Sequence, residues 1–71
     1  MTNYRIVIGS PINYEYLTAE IVFNDEYIVL VQREEGKDKM IVEFYEKKIN
    51  TKVYLTDLLQ ALQDARTLLL E

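Results

Sequence analysis

Leu17-Thr18-Ala19-Glu20-Ile21-Val22-Phe23-Asn24-Asp25-Glu26-Tyr27-Ile28-Val29-Leu30-Val31 decides the fold. The first run, Leu17–Phe23, alternates. Leu17, Ala19, Ile21 and Phe23 share one side, with Thr18 and Glu20 on the other. A period of two marks a half-buried strand. The second run, Tyr27–Val31, is apolar on both sides and rich in β-branched residues, as in a strand covered on both faces. Asn24-Asp25-Glu26 separates the runs, and Asn and Asp tolerate turn dihedrals. The spacing predicts a β-hairpin within Tyr16–Gln32. No Asn-Gly or Asp-Gly pair is present to specify the turn type.

Working outward, Tyr4–Ile8 reads as a short strand with Tyr4, Ile6 and Ile8 on one face. Gly9-Ser10-Pro11 ends it, because Pro removes a ladder donor. Downstream, Glu34–Lys39 forms a polar loop around Gly36. Met40–Tyr45 follows as a strand, with Met40, Val42 and Phe44 expected to face the core and Glu43 solvent. Thr51–Leu55 is a candidate fifth strand with Val53 and Leu55 inward.

A helix is expected from about Asp57 to Leu70, capped by the Thr56 hydroxyl. Leu58, Leu62, Ala65 and Leu69 share one face, and Leu55, Leu59, Ala61, Leu68 and Leu70 widen it to about half the circumference at about 100° per residue. The predicted class is α+β: an antiparallel meander of four to five strands, with one C-terminal helix packed on one face. A single domain, 1–71, is expected from the length.

Composition excludes several chemistries. The chain has neither Cys nor His, so thiolate chemistry and the commonest general base and metal ligand are missing. With no disulfide or thiolate–imidazole metal site to reinforce a small core, oligomerisation becomes the expected support. The formal net charge is −4, whereas nucleic-acid and anionic-membrane binders carry basic patches. No signal-peptide pattern and no apolar run of transmembrane length appear, so a cytoplasmic protein is expected.

Three groups of residues bear on function. Glu20, Glu34 and Glu43 could hold a divalent cation, but no recognised ligand spacing is present, and a solvated sheet face fits better. Lys37, Lys39, Lys47, Lys48 and Lys52 could meet phosphates with Tyr45 and Tyr54 stacking bases. Interspersed acids favour instead a charged edge that resists aggregation. The six tyrosines combine apolar area with a polar tip, as in sheet packing and protein interfaces.

Leu17–Phe23 through Glu35-Gly36, Met40–Phe44 and the leucine-rich helix together resemble small bacterial proteins of unknown function, which implies nothing about activity. The expected function is a non-catalytic interaction or accessory protein without cofactor or metal, partnered by itself as a homodimer or by another protein. Expected interface residues are Tyr16, Tyr27, Ile28, Leu30, Tyr45, Tyr54 and Leu68. The dimer would bury the sheet face opposite the helix or the helix flank.

Overall fold

The computed structural model describes residues 4–46 and 52–71. Four strands, β1 (Tyr4–Gly9), β2 (Thr18–Phe23), β3 (Glu26–Gln32) and β4 (Ile41–Phe44), precede one helix, α1 (Leu55–Leu70). The strands form one antiparallel sheet in the order β1-β2-β3-β4. This is the α+β meander with a C-terminal helix that the hydrophobic pattern predicts.

The hairpin turn is two residues long. Phe23 pairs with Glu26, and Asn24 and Asp25 both have positive φ, 49° and 66°. Two consecutive left-handed residues suit a type I′ turn, whose twist matches the flanking strands. Asn and Asp reach that region more readily than other non-glycine residues. One step inside, the register shifts between Ile21 and Val22, so that Ile21 faces Val29 while Val22 faces Tyr27. The extra residue, Ile28, packs against the helix-side core.

The helix covers half of the sheet. Ala19, Ile21 and Phe23 of β2 and Val29 and Val31 of β3 form the core with Ala61, Ala65 and Leu69. Ala61 and Ala65 have no exposed surface, so the helix backbone lies close to the strands. It packs over β2 and β1, touches β3 less, and does not reach β4. Tyr4 of β1 stacks obliquely on Phe23, with ring centroids 5.6 Å apart.

Several expectations are corrected. The helix starts two residues earlier than predicted, and Tyr54 occupies the N-cap without a side-chain cap bond. Thr56 lies inside the first turn and does not cap. Leu55 opens the helix and is exposed rather than inward. Lys52–Tyr54 is not a strand, although Val53 does pack on the core. The first residue of the predicted fifth strand, Thr51, lies outside the described residues. Met40 packs on the core, but Val42 and Phe44 are exposed. They pair with Val31 and Val29, on the helix side of the sheet, where the helix stops short of them.

Candidate interaction surfaces

The sheet face opposite the helix carries Thr18, Glu20 and Val22 of β2 and Tyr27, Leu30 and Gln32 of β3, read from the register. Val22, Leu30 and Thr18 are buried and lie outside the helix-side cluster. Their cover comes from this same chain. Leu30 sits in register between Glu20 on β2 and Glu43 on β4. Tyr45, just past β4, donates its hydroxyl to Glu20 across β3. Tyr14, in the β1–β2 connection, donates to Glu43 at 3.0 Å. The two phenol arms therefore run over β3 in opposite directions. The apolar second face of β3, which from sequence asks for another copy of the chain, is largely sheltered within one copy.

A circuit of hydrogen bonds holds this cover in place. Glu34 accepts from the backbone N–H groups of Glu15 and Tyr16 at 2.8 and 2.9 Å. Its own N–H donates to the Gln32 side-chain oxygen at 2.9 Å, and Gln32 Nε2 donates to Glu43 at 2.9 Å. Glu43 receives Tyr14, which closes the loop. Arg33 lies 4.7 Å from the Tyr16 ring centroid, within cation–π range.

These bonds raise the tyrosine pKa values. Tyr14 is raised mainly because its proton is shared with Glu43. Tyr45 is raised strongly, first by desolvation and then by its bond to Glu20. In both cases ionising the phenol would put a second negative charge beside a carboxylate.

The expected interface residues fall on separate surfaces. Tyr16, Tyr27 and Tyr45 border the tyrosine-covered face, and Tyr27 and Tyr45 meet edge to face at 6.3 Å. Leu30 is buried beneath that cover, and Ile28 packs towards the helix. Tyr54 projects from the helix start. Leu68 lies on the β1 side of the helix, beside Tyr4 and Ile6.

Ile12, in the β1–β2 connection, is 97 % exposed, and four more large side chains are strongly exposed near β4 and on the helix. Phe44 is 76 % exposed, Tyr54 79 %, Leu55 69 % and Leu59 57 %. Tyr4 donates to Asp64 at 2.6 Å, which ties that flank of the helix to β1. At about 100° per residue, Leu55, Leu59 and Leu62 lie on the opposite flank, towards β3 and β4. A leucine ridge thus overlooks the bare helix-side surface of β4. Sequence periodicity revealed the wide stripe but not Phe44, because alternation in β4 reads the same whether or not a helix covers it.

Among the described residues no three acidic side chains converge as a metal cage. Lys37, Lys39 and Lys52 are exposed, and Lys47 and Lys48 lie outside the described residues. Tyr45 is engaged by Glu20 rather than presented for base stacking. Among the described residues no helix is long and apolar enough to cross a membrane. Compared with protein-family models, with curated proteins and with solved structures, the chain matches none.

Proposed function

We propose that this is a non-catalytic interaction protein that self-associates through the bare β4 half of the helix-side surface. The observation that carries this reading is the strong exposure of Phe44, on the helix side of β4 that the helix does not reach, together with that of Leu55 and Leu59 on the helix. Contiguous exposed apolar surface marks interaction sites in soluble proteins. The surface is also self-complementary. One copy offers a helix flank wider than its own sheet needs, and another offers a sheet surface lacking a helix. A two-fold pair satisfies both at once, since residue i meets j and j meets i.

A stable interface buries about 800 Å² on each partner, about 15 % of this chain's 5344 Å² surface. Light scattering over a range of concentrations tests the reading. A dimer should persist on dilution, and Leu59→Asp or Phe44→Asp should return it to monomer with its fold intact by circular dichroism. Dimers unchanged by both substitutions would place the contact elsewhere. A monomer at all concentrations would end the self-association reading.

A further inference from the structure

The opposite side of the molecule has different chemistry. β1 has one strand neighbour, β2, among the described residues. An antiparallel strand with a single neighbour turns alternate N–H and C=O groups outward, where a further strand can pair with them. Folded proteins usually blunt such an edge with Lys, Pro, a bulge or an inward charge. Tyr4-Arg5-Ile6-Val7-Ile8-Gly9 has one charge, Arg5, and no Pro. Its six residues pair with β2 in unbroken register.

The helix flank above this edge is acidic. Asp57, Asp64 and Glu71 recur every seven residues, which places them along one stripe. The Tyr4–Asp64 hydrogen bond shows that the stripe lies on the β1 side. Gln60 also donates to Asp64, at 2.9 Å, and Asp64 is held below its usual pKa, mainly by the Tyr4 bond and then by Gln60. It therefore stays anionic while bonded. The helix has no basic residue in its last turn. Between strand and helix runs an open groove of about 390 Å³, lined by Tyr4, Ile6, Asp64, Thr67 and Leu68.

We propose that β1 accepts an extended, basic segment of another protein as a fifth strand, with alternate Lys or Arg side chains of that segment reaching the Asp57–Asp64–Glu71 stripe. The strand pairing supplies affinity through backbone bonds, and alternate side chains supply selectivity. The aliphatic stems of Lys or Arg would lie along Ile6 and Leu68 in the groove while their charged ends meet carboxylate. Charge also decides against a second copy here, since a β1–β1 pair would bring two acidic stripes towards one another. The site lies across the sheet from the Phe44 surface, so the two contacts are independent.

The test uses the unaltered protein and a fluorescent peptide of alternating Lys and Val, with binding read by anisotropy. The peptide should bind at low salt and weaken by at least about tenfold on going from 50 to 200 mM salt, as charge-driven association does. A Glu–Val peptide should not bind. A Lys–Val peptide N-methylated at alternate residues along one edge should lose at least about tenfold, since it cannot complete the ladder. Asp57→Lys with Glu71→Lys, which leaves Tyr4–Asp64 in place, should reverse the preference between Lys–Val and Glu–Val. No binding of Lys–Val at low salt would overturn the proposal. Equal binding of the N-methylated peptide would overturn it too, because only diffuse charge attraction would remain. Binding should be the same in Leu59→Asp, which separates this site from the self-association surface.

Discussion

Tyr14 donates its phenol hydrogen to Glu43, 29 residues further along the chain, at 3.0 Å. That bond links the β1–β2 connection to β4, two strands away from β2. It works with Tyr45–Glu20, which runs the other way over Leu30. The sheet face around Leu30 is thereby roofed by tyrosines whose polar ends are held by glutamates.

Glu34 is the latch of that roof. Glu34→Ala would leave the N–H groups of Glu15 and Tyr16 without their carboxylate acceptor. The expected cost is about 1 kcal/mol, because the freed donors are near solvent. Amide exchange at Glu15 and Tyr16 should accelerate by at least about fivefold, while exchange at Ile21 and Val29 changes only with global stability. Unaltered exchange at Glu15 and Tyr16 would show that Glu34 does not hold the connection.

Alkaline pH should loosen the same face and, on the helix side, the Tyr4–Asp64 tie. Tyr4, Tyr14 and Tyr45 have pKa values raised above the ordinary tyrosine value of 10.0. A group whose folded pKa lies above its unfolded value contributes stability that is fully present below the unfolded value. That contribution is lost as pH rises through the folded value. The melting temperature should therefore fall with pH above about 10. Absorbance at phenolate wavelengths should show a late-ionising fraction that shrinks in Tyr45→Phe. An unchanged titration in that variant would count against the Glu20 bond.

Acid acts on a different pair. Asp64 has a lowered pKa, so its contribution is present above the unfolded value and is lost as pH falls through the folded one. A double-mutant cycle of Tyr4→Phe and Asp64→Asn should show coupling at pH 7 that shrinks as pH falls through the lowered Asp64 value. Additive effects at pH 7 would mean that the 2.6 Å bond contributes nothing measurable.

Two buried positions should respond with opposite sign. Thr18 is fully buried, and its Oγ1 has no hydrogen-bond partner among the described residues. Thr18→Val keeps the shape and removes the unpaired hydroxyl, so a gain of about 1 kcal/mol is expected in chemical denaturation. Ala61 lies flat against the strands. Ala61→Leu should cost about 1–3 kcal/mol by overpacking. A destabilised Thr18→Val would mean that its hydroxyl is satisfied in solution.

The hairpin turn offers a further gain. Asp25 holds φ at 66°, a conformation that glycine adopts without a Cβ penalty. Asp25→Gly creates the Asn-Gly pair favoured in type I′ turns. It also removes an exposed 3.4 Å ion pair with Arg5, which contributes little. A rise in melting temperature of a few degrees is expected. A fall would show that the ion pair or the unfolded-state entropy dominates.

Much of the architecture was legible in one dimension because it depends on local period. Alternation in Leu17–Phe23, the doubly apolar Tyr27–Val31 and the 3.6-residue leucine pattern specify two strands and a helix wherever they pack. The turn lay at Asn24-Asp25 because those side chains tolerate positive φ. Absence of Cys and His likewise restricts the chemistry before any folding is considered.

Position and cover were decided only in three dimensions. That the helix sits over β1 and β2 follows from small Ala61 and Ala65, which let it approach there, and from the Tyr4–Asp64 tie 60 residues apart. Exposure of Phe44 is a consequence of that offset, which no periodicity within β4 records. The roof of Tyr14 and Tyr45 depends on hydrogen bonds spanning 29 and 25 residues. Local sequence specifies which side chains share a face. Which faces meet depends on non-local packing, where a few long-range contacts choose among arrangements that satisfy the same local pattern.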